Sequence, residues 1–352
     1  MYTMVTALHS RIVRKILSDS LGLKKGETIT VETWNSGLPF AKEVVRQARR
    51  LGCMPILIFE DEPTYLDGIK HTPKDVLGLM GKQEYGLLAA TDAYVFIPGP
   101  PLGVYYKKIT RDEFSNATKY NSSWYDAAGR AKLKGVRLTF GYVGSDMARF
   151  LGKPVREVVD AQLRAALVDF GKIRARAKPL AKRFEDGAPV SLRSRGVELK
   201  FKLKGELEVE DGIVDNKDVS SGQNMTYIPP GLILKEVEKN SANGKVKLSP
   251  SLTRFGVASK AVLEFKRGKL VRWSSPESQD ALNTLLATIS EKNRILSTFT
   301  LGLNEKFGYG FGQDRLVAGS VGIGGFGFTG ILQKANATIA GTEIVSAGRL
   351  KG

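Results

Sequence analysis

The sequence has few of the residues that build metal centres and nucleophilic sites. Only two histidines, His9 and His71, and one cysteine, Cys53, occur among its 352 residues. The two histidines share no ligand spacing, so we interpret both as ordinary side chains. Cys53 cannot form an internal disulfide, and its apolar neighbours favour a small core residue. A histidine-based metal site or catalytic triad is therefore not expected.

Long apolar runs are also missing. No stretch of about 18 apolar residues is present, which excludes a membrane-spanning helix at the sequence level. The first 17 residues place His9, Ser10, Arg11 and Arg14 among their apolar positions, unlike a secretory signal. The hydrophobic content of 42% and charged content of 25% are typical of a folded chain of about two domains. We expect a cytoplasmic protein without membrane association.

Positive charge is in large excess. The chain has 53 Lys and Arg against 36 Asp and Glu, a formal net charge of +17. This excess indicates a polyanionic partner bound with salt-sensitive affinity, and aromatic residues among the cations could stack on unpaired bases. A well-solvated surface of a thermostable protein is the alternative. The candidate polyanion-binding residues are Lys172, Arg174, Arg176, Lys178, Lys182, Arg183, Tyr105, Tyr106, Lys107, Lys108, Lys132, Lys134 and Arg137.

The first 170 residues or so alternate between helical and strand patterns. Apolar residues recur at helical spacing in some segments, and β-branched or continuous apolar runs mark others. Strand, helix and strand at this spacing is typical of βαβ units with a parallel sheet. The predicted helices are one that contains the stripe Ile12, Val13, Ile16 and Leu17 and runs up to the turn at Gly22, and two more over 38–51 and 153–170. The predicted strands lie over 27–33, 54–59 and 93–97.

The pattern changes from about Val190. Strict alternation over 197–203 and a hairpin over 261–273 predict antiparallel strands, interrupted by one helix over 278–291. The predicted fold is therefore α/β followed by α+β. Residues 1–188 form an α/β domain with a parallel sheet and a basic helical segment at its end. Residues 189–352 form a mixed, mainly antiparallel domain.

A glycine-rich segment, Gly322–Gly330, invites a phosphate-loop interpretation. It lacks the Lys-Ser/Thr ending of a P-loop, and no helical pattern follows it. The GxGxxG order of a dinucleotide-binding βαβ unit is also missing. Glycines two apart in a strand favour close backbone packing or a bulge. No catalytic constellation emerges from these residues alone.

Several segments, taken in order, resemble the thermophilic metallo-aminopeptidases of the leucyl aminopeptidase, aminopeptidase T and aminopeptidase S group. Their order and spacing cover nearly the whole chain, and the resemblance implies an aminopeptidase T-like fold and a homodimer. The segments are Leu21–Val31 with Ala48–Pro55, Ile228–Leu234 with Asn240–Gly244, Thr298–Asn304, Gly319–Gly324 and Ala335–Gly348.

The departures from this family concern its metal ligands. The resemblance implies two divalent ions, Zn, Co or Mn, held by glutamates, histidines and an aspartate. Such a centre needs carboxylate and imidazole ligands that place the ions about 3.5–4 Å apart. The aligned positions cannot supply them, so we predict no metal, no cofactor and no catalytic residues. The vacated positions are Leu232, Thr298, Gly322, Phe328 and Gly330.

Two functions of different classes follow from this comparison, and a purely self-assembling scaffold is a third possibility. The first is a non-catalytic relative of the aminopeptidases, a pseudoenzyme that acts as a basic binding or scaffold protein for RNA or a ribonucleoprotein such as the ribosome. The alternative is a working metallo-aminopeptidase, or another metalloenzyme, with relocated ligands. The closest carboxylates are Glu236, Glu238 and Asp314. Without a nitrogen ligand, these oxygens would favour Mg²⁺ or Ca²⁺.

Overall fold

A computed structural model describes residues 7–99, 109–253 and 255–351 of the chain. The α-helices are α1 (Ala7–Lys15), α2 (Leu38–Arg50), α3 (Glu62–His71), α4 (Lys82–Ala89), α5 (Arg111–Ala131), α6 (Ser145–Phe150), α7 (Val155–Ala165), α8 (Phe170–Ala181), α9 (Asn216–Ser220) and α10 (Gln279–Ala287). The strands are β1 (Thr28–Trp34), β2 (Met54–Glu60), β3 (Ala93–Ile97), β4 (Lys134–Leu138), β5 (Pro189–Ser194), β6 (Val197–Glu210), β7 (Met225–Ile228), β8 (Leu232–Val237), β9 (Asn243–Lys247), β10 (Ser251–Thr253), β11 (Gly256–Ala258), β12 (Val262–Lys266), β13 (Lys269–Ser274), β14 (Thr298–Gly302), β15 (Val321–Gly324), β16 (Gly330–Leu332), β17 (Asn336–Ile339), β18 (Thr342–Ser346) and β19 (Arg349–Leu350).

The chain divides into two compact units, and each is built from two separate segments. The first unit comprises Met1–Asp146 and Gly212–Pro229, and the second comprises Met147–Asp211 and Pro230–Gly352. The predicted domain boundary between residues 188 and 189 lies inside the second unit. The division at Asp146 therefore assigns helices α7 and α8 to the second unit, although their sequence follows the α/β half without a break.

The first unit contains a five-stranded sheet in the order β2-β1-β3-β4-β7, and every neighbouring pair is parallel. This confirms the parallel sheet predicted from the βαβ pattern. Strand β7 belongs to the second segment of this unit, Gly212–Pro229, and follows β4 in the chain by more than 80 residues. Gly135 of β4 lies opposite Met225 of β7, and its missing side chain leaves room for the Met225 thioether.

The two faces of this sheet differ in chemistry because successive side chains of a strand point to opposite sides. On one face, apolar side chains of the central strands are completely buried, and the buried stripe of α2 includes Phe40 and Val44. Helix α2 packs on β1 and β2. The alternate positions of the same strands carry acidic, basic and aromatic residues, which form the opposite face. The buried apolar positions are Ile29, Val31, Val95, Ile97, Val136 and Leu138.

The second unit is built on antiparallel strands in the order β16-β15-β14-β8-β6-β5-β17-β18-β19, with β9, β12 and β13 branching from β6. The predicted hairpin forms as β12 and β13, with a bulge between Glu264 and Phe265. Phe299 of β14 stacks on Phe184 with ring centroids 5.6 Å apart. The predicted fold class, a parallel α/β part with a mainly antiparallel part, is confirmed.

The predicted continuous helix over 153–170 is wrong. Helix α7 ends at Ala165, and a second helix, α8, begins at Phe170. The side chain of Asp169 accepts a hydrogen bond from the backbone amide of Lys172 at 3.0 Å, so Asp169 is the N-cap of the new helix. The apolar stripe continues through the break, which explains why periodicity alone predicted one helix.

Candidate functional site

The first unit encloses a cavity of about 580 Å³ on the polar face of its parallel sheet. Strands β1 to β4 form its floor, and residues of α3, α4 and α5 complete the wall. The floor residues lie toward the carboxyl ends of the strands, where open parallel sheets characteristically bind ligands. This cavity is therefore the candidate functional site.

Strand alternation and register place the polar residues of the floor. Glu32 and Trp34 lie two apart on β1 and therefore share a face. Trp34 is directly opposite Glu60 of β2, while Glu32 is opposite Phe96 of β3. Phe96 is in turn opposite Arg137 of β4. Four adjacent strands thus contribute side chains to one floor.

Glu32 lies at the centre of this floor, and the Tyr94 hydroxyl donates a hydrogen bond to its carboxylate. Burial raises the pKa of Glu32 to about 7, and the Tyr94 hydrogen bond opposes that rise. The negative charges of Glu60 and Glu84 raise the pKa further, and the Arg137 guanidinium lowers it. Glu32 can therefore gain or lose a proton near neutral pH.

A second carboxyl–phenol pair lies in the wall. The Tyr120 hydroxyl donates to Oε1 of Glu84 at 2.5 Å, while Oε2 of Glu84 accepts from the amide of Gly81 at 2.8 Å. Burial and the Glu84 hydrogen bond both raise the pKa of Tyr120. Burial, with the charges of Asp61 and Glu84, also raises the pKa of Glu60. The carboxylates of the cavity thus repel one another.

Arg137 and Trp34 contribute donors to the same cavity. The Arg137 guanidinium donates to the hydroxyls of Tyr125 and Tyr142, and its central carbon lies 5.1 Å from the centroid of the Phe96 ring. Trp34 is only 6% exposed. Among the described residues, neither Nε1 of Trp34 nor Nε of Arg137 has a hydrogen-bond partner. Two buried N–H donors are therefore left unsatisfied beside the cavity.

The five positions at which the resemblance predicts missing metal ligands lie in the second unit, on and beside strands β8, β14, β15 and β16. Leu232 is opposite Gly302, whereas Thr298, four residues away along β14, is opposite Glu236. At about 3.3 Å per residue, Leu232 and Thr298 are roughly 13 Å apart along the ladder. The register does not bring these two positions together. Phe328 packs edge-on against Phe326, with ring centroids 5.0 Å apart.

Neighbouring side chains fill the space that ligands would need at the glycine positions. A Cβ atom at Gly322 would collide with Oγ1 of Thr300 and lie 3.0 Å from Cγ2 of Thr329. A Cβ atom at Gly330 would lie 2.7 Å from Cδ1 of Leu248. Leu232 is completely buried in an apolar cluster with Phe307 and Leu316. The residues present therefore do not fit a two-ion centre.

Two of the three carboxylates considered as relocated ligands, Glu236 and Asp314, accept hydrogen bonds from backbone amides. Oε2 of Glu236 accepts from the amide of Glu206 at 3.2 Å. The Asp314 carboxylate accepts from the amides of Gly310 at 2.9 Å and Phe311 at 3.2 Å. Glu238 follows the end of β8. In the parts of the chain that the structure describes, no three His, Cys, Asp or Glu side chains converge as metal ligands.

The basic residues of 172–183 divide into exposed and paired groups. Lys172, Lys178 and Lys182 are exposed on or just after α8. Arg174 instead pairs with Asp211, Nε to Oδ2, at 2.6 Å, and Arg176 pairs with Glu305 at 3.4 Å. Arg183 is exposed, and Nη1 donates to the Thr342 hydroxyl at 3.1 Å. Three lysines therefore remain as the clearest cationic surface of this segment.

The remaining candidate polyanion-binding residues come from 105–137, and those that the structure describes have different surroundings. Its first part, Tyr105, Tyr106, Lys107 and Lys108, lies outside the described residues. Lys132 is exposed at the end of α5, Lys134 is half-buried in β4, and Arg137 lines the cavity. The nearby aromatic residues Tyr120 and Trp124 line the same cavity. Side chains expected to stack on bases thus line an internal space.

Sequence reasoning missed the cavity, although the strand over 27–33 contained a signal. Strands covered on both faces of a parallel sheet are normally continuous apolar runs. Glu32 interrupts that pattern near the end of β1, and Glu60 does so at the end of β2. Polar residues at corresponding ends of neighbouring parallel strands indicate a site at that edge of the sheet.

The architecture defines an α/β protein with an aminopeptidase T-like fold. AmpT (aminopeptidase T) from Thermus thermophilus is similar over 98% of this chain and 99% of its own, with a TM-score of 0.67 and 15% identity. A 2,5-dihydroxypyridine dioxygenase from Pseudomonas putida is similar over 99% of both chains, also with a TM-score of 0.67 and 13% identity. No protein-family profile and no curated protein sequence matches this chain.

These two likenesses establish the fold and leave the reaction open. One neighbour is named as an aminopeptidase and the other as a dioxygenase, yet both are equally similar in structure. A shared fold does not determine activity, so the side chains of this chain must carry the argument. None of the helices in the described part of the chain combines the length and apolar character needed to cross a membrane.

Proposed function

We propose that this chain is a non-catalytic relative of the thermophilic metallo-aminopeptidases that acts as a basic binding protein. The observation that carries the proposal is the filling of the family's ligand positions. Thr300 and Thr329 occupy the space beside Gly322, and Leu248 occupies the space beside Gly330. A metal centre cannot be restored there without moving buried side chains.

The partner in this proposal is a polyanion, namely RNA or a ribonucleoprotein such as the ribosome. The net charge of +17 supplies long-range attraction to phosphate. Lys172, Lys178 and Lys182 supply exposed contacts, because a solvated ammonium can reach a phosphate without breaking an internal ion pair. Arg174 and Arg176 contribute less in this proposal, since each already pairs with a carboxylate.

The protein in this proposal acts as a homodimer. Strand β2 is an edge of the parallel sheet and exposes large apolar side chains, including Met54 (57% exposed) and Phe59 (46% exposed). Exposed apolar edge strands pair readily with other strands, so native proteins usually cover or charge them. A second copy of the chain would cover this edge.

Metal content and peptidase activity test the loss of catalysis. The protein is incubated with excess Zn²⁺, Co²⁺ and Mn²⁺, desalted, measured by elemental mass spectrometry and assayed with leucyl-p-nitroanilide. The proposal expects far less than one ion per chain and no release of nitroaniline. One or two bound ions together with release would instead support the relocated-ligand aminopeptidase. In that case, Glu236→Gln and Asp314→Asn should each reduce metal content.

A further inference from the structure

The cavity is lined by residues of the first unit, whereas the predicted metal positions and the lysines of 172–182 belong to the second unit. We propose that this cavity, between β1–β4 and α3–α5, binds a small organic cation with an aromatic or aliphatic body. This inference goes beyond the proposed polyanion function, because its ligand has the opposite charge and its residues belong to another segment of the chain.

The size and lining of the cavity fit such a ligand. A volume of about 580 Å³ lies in the range typical of small-molecule sites. Aromatic rings surround the space, and the negative face of each ring attracts a nearby cation, most strongly where water is excluded. Those rings belong to Trp34, Tyr65, Tyr94, Tyr120 and Trp124, while the Phe96 ring already contacts the Arg137 guanidinium.

The charges in the cavity favour a cation. Among the described lining residues, three carboxyl groups, those of Glu32, Glu60 and Glu84, accompany a single guanidinium, that of Arg137. The phenol hydroxyls of Tyr94 and Tyr120 donate hydrogen bonds to Glu32 and Glu84, respectively. Because a phenol is neutral, these hydrogen bonds do not cancel the negative charge of an ionised carboxylate. The backbone of β4, which carries Arg137, lies two strands from that of β1, about 10 Å along the hydrogen-bonding direction. The Arg137 guanidinium offsets part of the negative charge at Glu32, but the three carboxyl groups of this described lining outnumber it.

An unsatisfied donor points independently to a ligand. Trp34 lines the cavity. Its Nε1 atom is buried and has no hydrogen-bond partner among the described residues. A buried donor without a partner is destabilising, and a ligand acceptor would remove that penalty. Trp34 lies directly opposite Glu60, so one ligand could place its cation near the carboxylates and an acceptor near the indole.

Proton release should accompany binding. Burial, with the charges of Glu60 and Glu84, raises the pKa of Glu32 to about 7. A bound cation favours the ionised carboxylate, so affinity should rise as the pH rises from 6 to 8. The groups that line the cavity around Glu32 are Glu60 of β2, Tyr94 of β3, Arg137 of β4, Tyr65 of α3, Glu84 of α4 and Tyr120 of α5.

The test compares three probes of the same shape: tyramine, which is cationic; tyrosol, which is neutral; and 4-hydroxyphenylacetate, which is anionic. All three carry a phenol oxygen as an acceptor. Two of the three tryptophans line the cavity, so a Trp273→Phe background reports fluorescence from Trp34 and Trp124 alone. Tyramine should bind roughly tenfold more tightly than tyrosol, with the anion weakest.

Two variants test the role of the carboxylates. Glu32→Gln keeps the shape of the side chain and should remove both the tenfold preference for tyramine and its pH dependence. Glu60→Gln should weaken tyramine without affecting tyrosol, and it carries the test if Glu32→Gln does not fold. Asp126→Asn, on the exposed face of α5, is the matched control. It should change neither the preference for tyramine nor its pH dependence.

Several results would overturn the inference. Equal affinities for tyramine and tyrosol, tighter binding of 4-hydroxyphenylacetate, or no binding of any probe at millimolar concentration would each do so. These outcomes are independent of the proposed function, because metal content and RNA affinity are measured without the probes.

Discussion

The hydroxyl of Tyr94 on β3 donates a hydrogen bond to the carboxylate of Glu32 on the neighbouring strand β1, although the two residues are 62 positions apart in the chain. Parallel pairing of β1 and β3 places Tyr94 opposite Thr30, so its side chain reaches Glu32 diagonally on the same face. The hydrogen bond favours the ionised carboxylate, while burial disfavours it. The balance of these two effects sets the protonation of the cavity near neutral pH.

Glu32 should make the first unit less stable at higher pH. Its pKa is raised from 4.5 when unfolded to about 7 when folded, so the folded state binds the proton more tightly. The stabilisation is complete below pH 4.5 and is lost as the pH rises through 7. This amounts to about 3 kcal/mol. Urea unfolding at pH 5 and pH 8, followed by tryptophan fluorescence, measures the difference.

Glu32→Gln is the comparison for this pH effect, because other buried carboxyls with raised pKa values, including Glu210 and Asp314, contribute equally to both proteins. The variant should lose less free energy of unfolding between pH 5 and pH 8 than the wild type does. Identical losses in the two proteins would show that Glu32 is already ionised at pH 5.

A methyl group added at Gly322 should destabilise the second unit. The new Cβ would collide with Oγ1 of Thr300, which is buried in β14. Overpacking of this kind costs about 1–3 kcal/mol. Gly129→Ala is the control, because apart from its chain neighbours and its own helix backbone no described atom lies within 4 Å of the added Cβ, and alanine is the better helix former by about 1 kcal/mol. The midpoint of thermal unfolding should fall for Gly322→Ala and rise for Gly129→Ala. An unchanged midpoint for Gly322→Ala would mean that the space beside Gly322 is open.

The positions of β1 and β3 could be predicted from the sequence because the local residue pattern determines them. The run over 93–97 and the β-branched run over 27–33 match β3 and β1 within a residue at each end. Both are apolar on the face that packs inward, and neither has a competing helical period. The hairpin over 261–273 was readable for a similar reason, since a tight turn joins two alternating strands.

The pairing of strands that are distant in the chain could not be predicted from the sequence. The four residues of β7 resemble any short strand, and only the return of the chain to the first unit pairs them with β4. The cavity depends on the same kind of information. Glu32, Tyr94 and Arg137 become neighbours through strand order, which the spacing of the three residues does not reveal. The resemblance predicted the fold, but it could not show that Thr300 fills the space beside Gly322.

Charge reversal on α8 should weaken RNA binding. Replacing Lys172, Lys178 and Lys182 with Glu removes three exposed cations that can reach phosphate, so affinity for a single-stranded RNA oligonucleotide should fall at least tenfold. The slope of log affinity against log salt should fall by about 0.7 for each phosphate that the variant no longer neutralises. Replacing the exposed Lys292, Lys334 and Lys351 gives the same change in net charge and should weaken binding less. Equal reductions would assign binding to net charge alone.

Charges placed on the β2 edge should separate the proposed dimer. Leu57 and Phe59 are exposed on the sheet face opposite the cavity floor, so Leu57→Asp with Phe59→Asp leaves the floor residues unchanged. Light scattering after size exclusion should give twice the chain mass of 38.4 kDa for the wild type and the single chain mass for the variant. Val271→Asp, an exposed apolar residue on β13, is the control and should remain dimeric. A wild-type protein that stays at the single chain mass at high concentration would mean that the β2 edge does not pair two copies.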